Sequence, residues 1–202
     1  MRRLAVLALF LAAAGCVDNS ASVRIFGLCF PPTPSDSGAC SYPAKCSALM
    51  LGALVFDPAS TSPDGPLIWP VQVDNQRDPT TDASAGRTET ATAWITGFEV
   101  EYQGAVSGSV SVAAPEAQPV LPGGSTVVLV PIVPPGVVVP AGGAIGANVK
   151  AKGHYGDGSF FVTGGLDVQA TAGTVTYTCT GTTTTIVGVC PQSGQTGVPL
   201  CK

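Results

Sequence analysis

Alternation between apolar and polar residues is the clearest pattern in this chain, and it predicts β-strands. The segment AWITGFEVEYQG, residues 93–104, shows the pattern best. One face of this strand is predicted to be dry and to carry Trp94, Phe98, Val100 and Tyr102. The other face is predicted to be wet and to carry Glu99, Glu101 and Gln103. A period of two with this polarity is typical of a sheet that has one side on a core and one side in solvent.

A second alternating segment, LIWPVQVDN, covers residues 67–75. Its apolar face is predicted to carry Leu67, Trp69, Val71 and Val73. Pro70 lies in the middle of the segment. Because proline has no N–H to donate to a ladder, Pro70 predicts a sheet edge or a bulge at this point.

Further alternating or apolar stretches raise the expected number to about seven to nine strands, with no amphipathic helix. They include SVRIFGLCF, SALMLGALVFDP, AIGANVKAKGHY and TVTYTC. The sequence Gly156-Asp157-Gly158 predicts a tight hairpin turn after the third of these. The pattern favours an all-β fold: an antiparallel β-sandwich, with Ig-like topology as one form of it. A closed barrel is the alternative, since strand periodicity does not distinguish the two.

Charge and composition exclude some classes of partner. Charged residues make up 11% of the 202 residues, and the formal net charge is −4. No basic patch is visible, which argues against nucleic acid and against electrostatic attraction to anionic lipid. Glycine and proline are frequent, at 25 and 18 residues, while 45% of the chain is hydrophobic. This combination is typical of a folded domain with many turns.

The first 15 residues have the pattern of a secretory signal peptide. Arg2 and Arg3 precede an apolar run of 11 residues, Leu4–Ala14. That run is shorter than the roughly 20 residues a membrane-spanning helix needs. If the segment is removed, seven basic and 13 acidic residues remain, a net charge of −6.

The residues Ala13-Ala14-Gly15-Cys16 resemble the lipobox of bacterial lipoproteins, with Ala13 where the box usually has leucine. The resemblance implies that the chain is cut before Cys16 and that Cys16 carries the lipid that anchors the protein to a membrane. Two or more acyl chains make such anchoring stable. Val17, rather than aspartate, follows the cysteine, which in Gram-negative lipoproteins favours the outer membrane. The alternative is a soluble secreted protein in which Cys16 forms a disulfide.

The other cysteines are expected to form three disulfides. Seven is an odd number, so Cys16 is the residue left over if it is lipidated. The remaining six fall into two groups of three: Cys29, Cys40 and Cys46, and Cys179, Cys190 and Cys201. The groups can bridge mostly to each other or mostly within themselves, but if all six pair, at least one bridge must join them. The spacing is not that of a zinc site. Residues 16–22 are predicted to be a tether, and residues 23–202 a single domain with disulfide-stapled ends.

Candidate catalytic and metal-binding residues are few. His154 is the only histidine and lies beside the predicted hairpin turn. Glu99 and Glu101 lie on the same face of a strand, roughly 7 Å apart, but that face is the solvated one. Asp74, Asn75, Asp78 and Asp82 crowd one loop, although not at the spacing of an EF-hand. We therefore expect no enzyme, no cofactor and no metal site.

The sequence predicts a surface lipoprotein of the cell envelope with a structural or protein-interaction role. Val137–Pro140 is a candidate contact surface for a protein partner. The alternative is a β-sandwich that binds carbohydrate or another small ligand. Exposure of Trp69 and Trp94 together would favour that alternative, although both are expected to pack in the core.

Overall fold

The computed structural model describes residues 22–79, 90–179, 185–192 and 194–202. The predicted signal peptide, Cys16 and most of the tether lie outside these residues. The described chain is all-β. Its eleven strands are β1 Val23–Leu28, β2 Leu54–Phe56, β3 Leu67–Asn75, β4 Ala93–Gly104, β5 Gly108–Val120, β6 Ser125–Val133, β7 Ala144–Tyr155, β8 Phe160–Val162, β9 Leu166–Ala172, β10 Ile186–Cys190 and β11 Val198–Cys201.

A three-stranded antiparallel sheet has the order β1-β3-β6. Its central strand, β3, is buried on both faces: every residue from Leu67 to Val73 is buried. The inner face packs on the core, and the outer face is covered in part by the loop that follows β1. There the amide of Cys46 donates a 2.9 Å hydrogen bond to the side chain of Gln72. The alternating pattern predicted one buried face for this segment, and the structure shows that both faces are buried.

Pro70 does not mark an edge, because β3 is paired on both sides. Cys29 donates its amide to the carbonyl of Pro70 at 2.8 Å, and in an antiparallel ladder residue 70 would donate back to Cys29. Proline cannot do so. The carbonyl of Cys29 accepts instead from the indole Nε1 of Trp69, at 2.9 Å. The missing ladder bond is thus replaced by a side chain from the neighbouring position.

The second sheet has six strands in the order β2-β9-β7-β4-β5, with β8 also paired to β7. All its pairs are antiparallel except β2 with β9, which is parallel. The predicted purely antiparallel arrangement is therefore wrong at this one pair. The predicted hairpin at Asp157 is confirmed, since β7 and β8 pair across it.

One cluster of buried side chains joins the two sheets. It includes Trp69 and Val71 from β3, Phe98 from β4, and Val149 from β7. Strand β7 alternates without a break, with every second residue from Ile145 to Tyr155 buried. The strand predicted for AIGANVKAKGHY is confirmed.

A β-bulge corrects the face assigned to Trp94. The register of β4 shifts between Ile95 and Gly97 against both neighbouring strands. Ile95 is fully buried, while Trp94 is only half-buried. An extra residue in a strand moves every side chain before it to the opposite face. Phe98, Val100 and Tyr102 lie on the core face as predicted.

The C-terminal segment forms a separate two-stranded sheet, β10-β11. The predicted strand TVTYTC is not observed, because residues 173–179 have no strand pairing. Tyr177 from this stretch instead contacts the tail: its hydroxyl donates to the carbonyl of Gln195 at 2.7 Å and accepts from the amide of Gln195 at 3.2 Å.

Candidate functional site

Three disulfides account for all six cysteines of the described chain. They are Cys29–Cys46, Cys40–Cys190 and Cys179–Cys201. Two bridges close short local loops, with sequence separations of 17 and 22, while Cys40–Cys190 spans 150 residues. The prediction that at least one bridge joins the N-terminal and C-terminal groups is confirmed. Cys16 lies outside the described residues.

Gln195 is a structural residue that sequence reasoning missed. It is fully buried. Its Oε1 accepts from the amide of Ile68 at 2.8 Å, and its Nε2 donates to the carbonyl of Ile68 at 2.6 Å. The next residue, Thr196, donates its amide to the carbonyl of Val55 in β2. The tail therefore bonds to both sheets, and a glutamine in a Gly- and Pro-rich tail gives no signal that could have predicted this.

Arg77 is a second missed residue. Its guanidinium lies 3.4 Å from the ring centre of Tyr155, and Nη1 lies 3.4 Å from Oδ2 of Asp157. Hydrogen bonds from the hydroxyl and amide of Ser159, and then the contact with Arg77, lower the pKa of Asp157. The exit of β3 is thereby fixed to the β7–β8 hairpin.

A groove lies between strands β1 and β9, and we name it the β1–β9 groove. Its volume is about 520 Å³. The walls include Phe26 to Leu28 on one side, Leu166 to Gln169 on the other, and the segment from Leu49 to Ala53. The lining is mainly apolar. Both walls are sheet edges: β1 pairs only with β3, and β9 pairs with β2 only from Ala170 to Ala172.

Exposed hydrophobic side chains border this groove. Phe26, Phe30, Leu49 and Leu51 are all exposed, and we name these four residues the β1 patch. Leu51 is the extreme case, at 94% exposure. Phe26, Leu49 and Leu51 line the same groove, and Phe30 donates its amide to the carbonyl of Ala48, next to Leu49. Single exposed hydrophobic residues are ordinary, whereas a group of them is a candidate contact surface.

A shallow polar depression lies on the outer face of the six-stranded sheet, with a volume of about 320 Å³. Its polar side chains are Glu101, Gln103, Asn148, Asp167 and Gln169. Asn148 donates from Nδ2 to Oδ1 of Asp167 at 2.7 Å. The depression holds amide donors beside carboxylate acceptors, with no aromatic side chain in its lining.

A smaller apolar cavity of about 250 Å³ lies beside β5 and β6, and Tyr42 is one of its walls. The Tyr42 hydroxyl is buried and has no hydrogen-bond partner in the described structure. Burial raises its pKa to about 12. Tyr102, whose hydroxyl donates to the carbonyl of Ile132 at 2.8 Å, also has a raised pKa because of burial.

The candidate catalytic residues Glu99, Glu101 and His154 do not form one site. Glu99 and Glu101 are exposed on β4, opposite Lys150 and Asn148 of β7 in the register of the sheet. His154 lies opposite Trp94, four positions along β7 from Lys150. Of the three candidates, only Glu101 lines a depression described above.

Two of the four oxygen-bearing side chains that crowd the sequence from Asp74 to Asp82 are bonded elsewhere. Asp74 accepts from Gln72 at 2.7 Å and lies 3.5 Å from Arg24. Asn75 is buried and donates Nδ2 to the carbonyls of Ala91 and Val120. Asp82 lies outside the described residues. Within the described chain, no group of three or more His, Cys, Asp or Glu side chains could hold a metal ion.

The two tryptophans do not form a shared platform, because Trp69 is fully buried and Trp94 is half-buried. The segment Val137–Pro140, predicted as a contact surface, is only partly accessible. Val138 is exposed, whereas Val139 is buried.

Comparison with protein-family models, with curated proteins and with solved structures gives no match. No helix in residues 22–79, 90–179, 185–192 or 194–202 is long and apolar enough to cross a bilayer.

Proposed function

We propose that this protein is an exported lipoprotein of the cell envelope, anchored through lipid on Cys16, with a non-enzymatic structural or protein-interaction role. The outer membrane is the favoured location. The signal peptide, residues 1–15, directs export, and the short tether holds the domain at the membrane. Disulfides persist in oxidising compartments outside the cytosol, which agrees with a location in the cell envelope.

The pairing of the six other cysteines is the observation that carries this proposal. Each of them has a partner within the described structure. Cys16 is therefore the one cysteine for which the domain provides no partner, as acylation requires.

The proposal includes a β-sandwich as the architecture of the domain. The chain passes repeatedly between the sheets, from β1 to β2, β2 to β3, β3 to β4, β5 to β6 and β6 to β7. Both sheets contribute to one core cluster, and no described strand pairs with both of them. These features favour two packed sheets over a closed barrel, in which the strands form one continuous ladder.

The test compares the native protein with the Cys16→Ser variant after growth with labelled palmitate. The native protein is expected to incorporate label and to sediment with the envelope, and the variant to incorporate none. A matched Cys29→Ser/Cys46→Ser variant should still incorporate label, because it removes a disulfide and leaves the lipobox intact. Equal labelling of the native protein and Cys16→Ser would refute the anchor.

The polar depression supports a second candidate function, the binding of a carbohydrate. Alternating amide and carboxylate groups suit the hydrogen-bonding pattern of sugar hydroxyls. Calorimetric titration with soluble glycans would test it, with Asn148→Ala as the site variant and Gln118→Ala as a control outside the depression. Heat of binding that Asn148→Ala abolishes and Gln118→Ala leaves unchanged would support this function, whereas no measurable heat with any glycan would exclude it for that panel.

A further inference from the structure

The β1 patch lies close in sequence to the proposed anchor. The described chain begins at Ser22, and Phe26 follows four residues later on β1, which begins at Val23. Cys16 lies six residues before Ser22. A chain of six residues reaches at most about 20 Å when fully extended. The distance along β1 from Ser22 to Phe26 is about 13 Å, so an acylated Cys16 allows the patch to touch the bilayer surface.

The charge of the protein indicates what kind of contact this surface can make. The chain without its first 15 residues carries a net charge of −6, so anionic lipid headgroups repel it as a whole. A contact with lipid must therefore depend on apolar side chains. The β1 patch offers two phenylalanines and two leucines, each of them exposed, and such residues are typical of the apolar face of an interfacial element.

The borders of the patch limit how deeply it could enter a bilayer. The guanidinium of Arg24 lies 5.7 Å from the ring centre of Phe26. An arginine in this position can keep its charge at the level of the lipid phosphates while the neighbouring ring lies deeper. Asp167 is exposed on the opposite wall of the groove, and a carboxylate does not enter hydrocarbon. The contact is therefore confined to the β1 side and to the headgroup boundary.

From these observations we infer that the β1 patch rests on the surface of the membrane that holds the anchor, so that the domain lies against the bilayer along β1. This inference rests on the proposed acylation of Cys16. The tether keeps the patch at a high effective concentration near the lipid, so a weak apolar contact is sufficient to orient the domain.

Fluorescence quenching by brominated lipid tests the inference. The native acylated protein and its variants are reconstituted into phosphatidylcholine vesicles with brominated or ordinary acyl chains. Leu51→Trp and Phe30→Trp each place an indole in the patch. Leu121→Trp is the control, because Leu121 is 65% exposed and is not part of the patch. Its turn bonds Asn75, the partner of Val23, so it also lies near the start of β1 and shows whether closeness to the anchor alone causes quenching. The unsubstituted protein gives the background from Trp69 and Trp94.

The indoles in the patch should lose roughly half of their added emission in brominated vesicles, since interfacial side chains lie about 5–10 Å into the headgroup boundary. Leu121→Trp should keep its emission. Unchanged circular dichroism would show that each variant is folded.

Each other outcome overturns the inference in a distinguishable way. If Cys16 is acylated by mass spectrometry but the patch and control indoles are quenched equally or not at all, the orientation fails and the anchor stands. If Cys16 carries no lipid, the proposed function fails together with the inference. If the patch indoles are shielded by a polypeptide that purifies with the protein and not by lipid, the surface belongs to a protein partner.

Discussion

Gln195 shows how single polar side chains hold the described structure together. Its amide group bonds both backbone groups of Ile68 and so replaces a strand partner along that stretch of β3. Gln72 and Asn75 do similar work, bonding the loop at Cys46 and the carbonyls of Ala91 and Val120. None of these roles could be predicted from the sequence, because each depends on a partner that only the completed fold places nearby.

Gln195→Leu is expected to lower the free energy of unfolding by about 2–4 kcal/mol. The leucine fills most of the space, but it leaves the buried N–H and C=O of Ile68 unpaired, at roughly 1–3 kcal/mol for each group. Urea denaturation measures the change. Gln103→Leu, at an exposed position on β4, is the control and should change stability by less than about 0.5 kcal/mol. Equal effects at the two positions would show that the bonds to Ile68 are not important.

Tyr102 and Tyr42 allow a comparison of a buried hydroxyl that is hydrogen-bonded with one that is not. Tyr102→Phe is expected to lose about 1 kcal/mol of stability, because the Ile132 carbonyl loses its hydrogen bond. Tyr42→Phe should be neutral or slightly stabilising, because its hydroxyl has no partner to lose. Urea denaturation of both variants at pH 7 measures the difference, and a larger loss in Tyr42→Phe would contradict it.

The same pair predicts a dependence on alkaline pH. The pKa of Tyr42 rises from 10.0 in the unfolded chain to about 12 in the fold. Above pH 10 the unfolded chain can ionise this residue while the folded chain resists, so stability is complete below pH 10 and falls as the pH rises towards 12. Tyr42→Phe should show a shallower loss over this window than the native protein. If the free energy of unfolding falls equally with pH in both proteins, the burial of the Tyr42 hydroxyl is contradicted.

At the scale of strands, the sequence predicts which segments form strands better than it predicts how those strands pair. The alternation of β7 and of Phe98 to Tyr102 reads directly as one dry and one wet face, and the structure confirms it. The positions of Trp94 and Pro70 could not be read in this way. A bulge moves Trp94 to the other face, and the indole of Trp69 compensates for the missing N–H of Pro70. The parallel pairing of β2 with β9 joins segments more than 100 residues apart, and local pattern has no information about it.

Gly153→Ala is predicted to disturb the pairing of β4 with β7. A Cβ at Gly153 would collide with the carbonyl oxygen of Trp94 and with the ring of Phe161. The clash involves backbone at the bulge, so we expect a loss of about 1–3 kcal/mol. Thermal denaturation would measure it.

Gly164→Ala is the control for that variant. No atom lies within 4 Å of a Cβ at Gly164, so stability should stay the same or rise by up to about 1 kcal/mol. If both glycine variants are equally stable, the close approach of β4 and β7 is not a constraint on the fold.

At the scale of the whole molecule, the disulfides join segments that would otherwise be distant. Replacing Cys40 and Cys190 with alanine should cost up to about 5 kcal/mol, against about 3 kcal/mol for Cys29 and Cys46, because the entropy of an open loop grows with its length. The sequence separations are 150 and 17. Urea denaturation of the two variants gives the order, and a greater loss on opening the short loop would contradict it.

The proposed location of the protein and the proposed membrane-contact surface rest on different kinds of information. Residues 1–17 carry the lipobox resemblance, and it could be recognised from the sequence because the export machinery reads a short linear motif. The β1 patch could not be recognised in that way. Phe26 and Leu51 lie 25 positions apart, and only the fold brings the two residues to the same groove.

Intact-mass analysis of the native protein, followed by non-reducing peptide mapping, tests the central claim most directly. We predict a mature chain that begins at Cys16, carries fatty acids on that residue, and contains the three disulfides Cys29–Cys46, Cys40–Cys190 and Cys179–Cys201. A chain without fatty acid in which the sulfur of Cys16 is bonded to another cysteine would contradict the claim.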